Sequence, residues 1–420
     1  MSLILNLLSR DKNSASPLKV GVEIERYGFD RAGQLLRYSQ QIRPVFQEMI
    51  QQKAWKAAYT VGSEILAIEK EGDQWSLEPG SQLELSARPS LHLQDLESLQ
   101  ERREQELLSC AAAQGWAYEW LAVNPYESAS SIQIIPSPRY AIMTQYFQEL
   151  GGRGLDMMRL TSGCHVNLDY WSAKHGIQQM RVGAYLAPVF IACFGNSPFF
   201  ERKSTGRFAE RIAIWQKTDA LRSGIPPGLF DSAFNMSSYV NLVESTPLMF
   251  YFDENGVAHP AAGRAWQDLS SALQETNALT AIRQLFYDVR LKPCCVELRF
   301  LDQNEPSVRM ASFALMLGLL QDEKNLQELD QEASRATIEN VLRATDLASK
   351  KALTEHSFVL QAQSLLKRAE LGLWRRGFGE EKFLAPLDQI LKNRKNPAQT
   401  LLEEGGFERF EENSIRRRSR

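Results

Sequence analysis

The sequence predicts an α+β fold on a mostly antiparallel sheet, and three observations carry that expectation. Stretches of period-two alternation are scattered among amphipathic helical stretches, without the βαβα rhythm of a parallel sheet. Several alternating stretches set charged side chains on one face and apolar ones on the other. From about residue 305 onward the pattern is continuously helical.

Taken in order, residues 19–29 read as a strand, and 43–54 and 93–113 as amphipathic helices. Residues 76–87 read as a hairpin turning at Pro79-Gly80. A helix is expected over 138–150. Residues 161–170 alternate as a strand, after which Ser172 caps a helix running to about residue 194. Residues 289–301 form another strand, interrupted at Pro293, and helices follow at 308–320, 330–349, 355–376 and 385–393. No repeat and no Gly/Pro/Ser linker divides the chain. One catalytic domain over 1–405 is therefore expected, with the C-terminal helices packed on the sheet. Residues 406–420, ending in Arg416, Arg417, Arg418 and Arg420, are expected to be a flexible tail.

Of 420 residues, 44% are hydrophobic and 24% charged, enough to bury a core and to exclude a disordered chain. Lys plus Arg number 48 against 51 Asp plus Glu, a net charge of −3, which argues against a nucleic-acid partner. The longest nearly apolar run, 184–194, contains Pro188 and falls short of the about 18 residues of a membrane span, so no membrane partner is expected. The opening MSLILNLLSR lacks a basic n-region and a cleavage site, which places the protein in the cytoplasm. Cys110, Cys164, Cys193, Cys294 and Cys295 show no zinc spacing and are expected as reduced thiols.

The chemistry begins in the first strand. Val20, Val22 and Ile24 share one face and Glu23 and Glu25 the other. A solvated strand gives this pattern, and so does one whose carboxylates hold a cation. The pattern recurs. Gln82, Glu84 and Ser86 oppose Leu83 and Leu85, with Glu78 ahead of the turn; His165, Asn167 and Asp169 oppose Cys164, Val166 and Leu168; Glu297 and Arg299 oppose Val296, Leu298 and Phe300. If these strands share a sheet, their polar faces line one carboxylate-rich cavity, suited to Mg²⁺ (or Mn²⁺) and a nucleotide. The chain has no P-loop and no dinucleotide fingerprint. Cations for phosphates and carboxylates are available in Arg211, Lys217 and Arg222 around Trp215, and in Arg290 and Lys292; a mixed-charge surface loop would also read this way.

Several ordered blocks resemble the glutamate–cysteine ligases of the plant and proteobacterial type. They are VGVEIERYGF, SLEPGSQLELSARP, GRGLDMMRLTSGCHVNLDY, LAPVFIACFGNSPFFERKSTG, IAIWQKTDALRSG, DVRLKPCCVELRFLD and AELGLWRRGFGEEKFLAPLDQILKNRKNPAQTLLE, spanning residues 19–403. The resemblance implies a glutamine-synthetase-like fold, with the sheet curled into a funnel-shaped active site and ringed by helices. It implies an ATP-dependent ligase acting on glutamate and cysteine through an acyl phosphate, as a monomer or homodimer; a related ligase with a different amine acceptor is the alternative. By position it assigns Glu23, Glu25, Glu78, Glu84 and Glu297 to metal and nucleotide. Arg211 and Arg222 fall to the substrate carboxylate and phosphates, beside Trp215 and Met249, and together with Glu297 they form the implied catalytic set. Arg290, Lys292 and Arg299 fall to the nucleotide. The chain departs from the family pattern at His165, Phe300, Leu301, Leu242 and Met249, which puts the amine acceptor in question.

Overall fold

In the computed structural model, which describes residues 2–9 and 17–418, the alternating stretches assemble into one nine-stranded sheet. Its strands are β1 (Val20–Phe29), β2 (Lys56–Val61), β3 (Glu64–Lys70), β4 (Asp73–Leu77), β5 (Leu83–Ser90), β6 (Ala117–Glu119), β7 (Gly163–Asp169), β8 (Val289–Lys292) and β9 (Cys295–Asp302). The order is β8-β9-β7-β1-β5-β4-β3-β2, with the short β6 added to the end of β1, and every pairing is antiparallel. The sheet is open, and β8 and β2 are its edges. Side chains of both edge strands, Lys292 and Tyr59, nevertheless line one cavity, so the sheet curls around it. The α+β expectation holds.

Period-two patterning decides which face meets the helices. Val20, Val22, Ile24, Val166, Leu168, Val296 and Leu298 turn to the convex side and are fully buried. They pack against Ala173–Phe194, Pro306–Leu320 and His356–Arg376 in a single apolar cluster. Ala173–Phe194 is long and apolar enough to cross a membrane, but here it is a core helix, 89% of its apolar window being buried inside the fold. Ser172 starts it by accepting the His175 N–H at 3.3 Å. Helices Pro138–Leu150 and Pro306–Leu320 carry proline in the first turn, where no amide is needed.

Three segments differ from the sequence expectation. Residues 289–301 are not one interrupted strand but a hairpin: Pro293 and Cys294 form its turn, and Cys294 takes φ 78°, the left-handed position after a turn proline. Residues 330–349 belong to two helices, Glu323–Ala333 and Ile338–Lys351, the second capped by Thr337. Residues 406–420, expected as a flexible tail, include the helix Gly406–Arg418, whose Phe407 and Phe410 pack on Phe199 and Tyr126. The side chains of the terminal arginines lie outside the described residues.

Cys110, Cys164 and Cys193 are buried free thiols, and Cys294 is exposed.

Candidate active site

Register brings the acidic residues together. Across the concave face Arg290 lies opposite Glu297, Glu297 opposite Asn167, His165 opposite Glu23, and Glu25 opposite Glu84. Glu78 enters from the β4–β5 turn, where Gly80 lies so close to the Arg159 carbonyl that a Cβ would sit 2.6 Å from it.

The five glutamates fall into two sets of opposite electrostatic character. Glu25, Glu78 and Glu84 each offer an oxygen, all within 4.8 Å of one another. Burial pushes the Glu25 carboxyl up to about 7, with Arg211 opposing and Glu84 adding to the rise. Burial likewise raises Glu84, and the negative charges of Glu78 and Glu23 raise it further. Burial and the Glu25 charge raise Glu78. No lysine or arginine forms an ion pair with any of the three among the described residues, and only the imidazole of His165 approaches Glu25, at 3.8 Å. Three crowded carboxylates with no directly paired guanidinium or ammonium, their charges only partly offset by Arg211, Arg139 and Arg299 at a distance, are a donor set of the kind a divalent cation occupies.

Glu23 and Glu297 are already neutralised. Lys292 Nζ lies 2.6 Å from Glu23 and 3.3 Å from Glu297. Arg290 pairs with Glu297 through Nε, and Arg299 approaches it at 3.2 Å. Burial, the largest influence, would raise Glu23; the ammonium of Lys292 and the contact with His165 together overcome it and bring the carboxyl down to about 2. Arg290, Lys292 and Arg299 likewise overcome burial at Glu297 and hold it well below the usual carboxylate range.

His165 stands between the two sets. Its Nδ1 is 3.3 Å from Glu23 and 3.8 Å from Glu297, and its Nε2 is 3.8 Å from Glu25. Burial, reinforced by Arg299, lowers the imidazole to about 4, so the ring is neutral. Nε2 is buried without a hydrogen-bond partner, and His165, Glu23 and Glu297 form a second group of converging metal-type donors. The sequence reading treated this residue as a departure; its place in the third alternating face was the signal for it.

The site is two chambers joined by a neck. One, of about 240 Å³, is walled by Met143, Met157, Met158, Trp215, Met249 and Phe250. The other, of about 490 Å³, lies over Tyr59, Gln74, Ser76 and Ser86 on the outer strands. Arg290 lines both chambers, Arg299 the first and Lys292 the second. Arg299 stacks on Trp215 at 5.3 Å.

Two arginines expected at the substrate do not line either chamber. Arg222 is fully buried and spent on the protein: Nε binds Asp219 at 2.6 Å, and Nη2 donates to the Pro247 carbonyl at 2.8 Å and to Tyr146 Oη at 3.2 Å. Arg211 lies under the floor, against Trp215 at 5.6 Å, where its charge faces Glu25, Asp288 and Asp302. The basic residues that do reach the chambers and that sequence reasoning missed are Arg139 and Arg283. Both sit on helices outside the sheet, in stretches without an alternating signal.

The departures also separate. Phe300 and Leu301 are core residues, Phe300 packing edge-on against Phe190 at 5.8 Å, and Leu242 packs against the same core. Only Met249 and His165 reach the cleft.

Gly163 fixes the floor. Its N–H donates to Glu25 at 2.6 Å, and a Cβ there would stand 2.3 Å from the Arg211 guanidinium. Gly163→Ala should therefore cost about 1–3 kcal/mol in a denaturant titration. It should also lower turnover, because Glu25 and Arg211 must both shift; unchanged stability and rate would show that the floor yields freely.

The profile of glutamate-cysteine ligase family 2 (GCS2) matches residues 19–418. The chain is 30% identical over 400 residues to the chloroplastic glutamate–cysteine ligase B of Oryza sativa subsp. japonica, covering 91% of this chain and 79% of that protein. It is 30% identical over 405 residues to the chloroplastic glutamate–cysteine ligase of Arabidopsis thaliana, covering 92% and 76%. Its fold is similar to that of the Francisella tularensis glutamate–cysteine ligase solved with AMP, with a TM-score of 0.56, 14% identity, and coverage of 98% of this chain and 89% of that one. It is also similar to a bifunctional glutathione synthetase from Pasteurella multocida, with a TM-score of 0.52, 13% identity, and coverage of 96% and 50%. The cytoplasmic location expected from the sequence is overturned by these relatives, since the plant ligases are named as chloroplastic.

Proposed function

The chain belongs to glutamate-cysteine ligase family 2, and from that premise we propose that it joins the γ-carboxylate of L-glutamate to the amine of L-cysteine. The products are γ-glutamylcysteine, ADP and phosphate, and the dipeptide is the first intermediate of glutathione-type thiol synthesis. The observation that carries the reading is a pair of chambers meeting at a ring of carboxylates and guanidiniums.

A carboxylate is a poor electrophile, so the reaction needs an activated intermediate. A γ-carboxylate oxygen of glutamate attacks the terminal phosphorus of ATP, the bond to the bridging oxygen breaks, and ADP leaves with the electron pair. The cysteine amine then attacks the acyl carbon, the bond from that carbon to the phosphate oxygen breaks with its electron pair leaving on phosphate, and the nitrogen gives up its extra proton to solvent or to the departing phosphate. The protein contributes position and charge. The outer chamber takes the nucleotide, and the methionine-walled chamber takes the amino acids. Glu25, Glu78 and Glu84 would hold one divalent cation, and Glu23, His165 and Glu297 offer donors for another. When bound, Mg²⁺ neutralises phosphate oxygens as charge moves from one chamber to the other. Arg290 and Lys292 keep Glu23 and Glu297 ionised and in place, and Arg299, held by Trp215 and Glu297, presents a positive wall to the amino-acid side.

The test is ADP release and dipeptide formation with ATP, Mg²⁺ and glutamate fixed and the amine varied. Dipeptide with cysteine is expected, and phosphate release that is indifferent to amino acids would overturn the reading. The methionine wall also bears on selectivity. Met249 presents a flexible thioether to this chamber, so the wall reads the acceptor by size more than by a polar contact. The ratio of kcat/KM for cysteine over 2-aminobutyrate should then stay below about 200. A larger ratio would mean that a polar group singles out the thiol.

A further inference from the structure

The neck between the chambers is formed by residues that line both: Glu23, Glu78 and Glu84 on its acidic side, and Arg139, Arg283 and Arg290 on its basic side. Of the three arginines, Arg290 is occupied, by Glu297 and by the Arg283 and Leu285 carbonyls at 2.8 and 3.0 Å. Arg139 and Arg283 are not. Arg283 ends the helix Ser271–Arg283, is exposed to the cleft, and its side chain has no hydrogen bond or ion pair among the described residues. Arg139 lies between the rings of Tyr140 and Tyr59, at 4.7 and 5.7 Å. It donates from Nη2 to Tyr140 Oη at 3.0 Å, while its Nε is buried with no partner. Burial, then the nearby charges of Arg290 and Arg139, pull Arg283 below the usual guanidinium range. Like charges are thus gathered where the two chambers meet: the charges of Glu78 and Glu23 reach Arg139 and Arg283, but no carboxylate forms an ion pair with either among the described residues.

We propose that Arg139 and Arg283 clamp the terminal phosphoryl group of the nucleotide as it crosses the neck, from the side opposite Glu25, Glu78 and Glu84. The inference rests on the ligase reading above. During transfer the bond from phosphorus to the bridging oxygen breaks as the bond to the glutamate γ-carboxylate forms. The three equatorial oxygens keep their charge throughout. Two guanidinium forks suit those oxygens, and the carboxylates across the neck suit the cation that travels with them. The amino-acid carboxylates share the fork chemistry, so the test must tell phosphate from carboxylate.

The full chain carrying Arg283→Ala, Arg283→Lys or Arg139→Ala is titrated calorimetrically with β,γ-imido-ATP plus Mg²⁺, with AMP, and with L-glutamate. The imido analogue should bind about 10–100-fold more weakly to either alanine variant. AMP, which lacks the clamped phosphates, and glutamate should each stay within about twofold. Turnover should fall by about 10²–10³-fold, and Arg283→Lys should recover only part of it. The Arg283 side chain makes no hydrogen bond or ion pair among the described residues, and its carbonyl, which holds Arg290, is kept in every variant, so the Arg283 variants should unfold at the parental temperature. Unchanged affinity for the analogue together with unchanged turnover would overturn the clamp. So would weakened glutamate binding with nucleotide binding intact, which would make these arginines a carboxylate site. Failure of the parental protein to make γ-glutamylcysteine would instead strike the ligase reading, before any variant is compared.

Discussion

Glu84→Gln lowers turnover by about 10³-fold and leaves the metal-free protein at least as stable as the parent. The two effects share a cause. Glu84 sits in a buried triad with Glu25 and Glu78, where burial and like charge raise every member above the usual carboxylate range. The amide keeps the shape and can still meet Ser86 Oγ, which lies 2.8 Å from the native carboxylate. It removes a charge that the apo fold tolerates poorly and that a divalent cation requires. The parental melting temperature should therefore rise when Mg²⁺ is added, by linkage, and the variant's should not. A variant that melts well below the parent without metal would mean that Glu84 supports the fold, and near-normal turnover would put the cation elsewhere.

Glu297→Gln also abolishes activity, but its stability moves the other way. Glu297 has no exposed surface, and Arg290, Lys292 and Arg299 all converge on its carboxylate. Removing the anion takes the carboxylate from Arg290 and Arg299 and leaves Lys292 with Glu23 alone, and breaking such a buried pair costs about 3–5 kcal/mol. Urea unfolding measures the loss. Adding Arg299→Met should return part of the stability without returning activity, because Arg299, unlike Lys292, has no other ion pair among the described residues, while the donor set stays broken. The two variants together separate the acidic groups more sharply than either does alone: same residue type, same sheet face, opposite sign. Equal stability losses in both would mean that the division into a neutralised and an uncompensated set is wrong.

The sheet face was legible because alternation is local. Val20 to Glu25 and Gln82 to Ser86 declare their two faces without reference to the rest of the chain, and the register then sets Glu25 opposite Glu84. What failed to read depended on turns or on distant partners. Pro293 looked like a break in a strand because one residue in the left-handed region, Cys294, leaves no trace in composition; the hairpin it closes is what puts Arg290 across from Glu297. The hairpin of β2 and β3 went unread, because β2 is almost wholly exposed and carries no apolar face. Arg222 sits in a motif-rich stretch, yet its partners Asp219, Tyr146 and Pro247 consume it, and no local pattern distinguishes a guanidinium turned inward from one turned to a ligand. Arg139 and Arg283 had the reverse fate: they lie on unremarked helices and are brought to the neck only by tertiary packing.

The direct pairing of Glu25 with Glu84 on adjacent strands also bears on how the chain finds its fold. The two strands are antiparallel neighbours, with Val22 facing Ala87 and Ile24 facing Leu85 on the same ladder. Because side chains alternate, sliding either strand by one residue would drive its glutamates into the apolar layer and bring its valines or isoleucine into the cleft. The cost of that error is the burial of unpaired carboxylates among Val166, Leu168 and the core helix. The alternation that gathers donors for a cation thus doubles as an alignment mark during assembly. Metal is not required for the mark to work, since burying a charge is penalised whether or not the other face is loaded. Neutralising both Glu23 and Glu25 by substitution would then erode fidelity of strand pairing as well as catalysis, and mispaired, aggregation-prone species would appear during refolding before any loss of native-state stability.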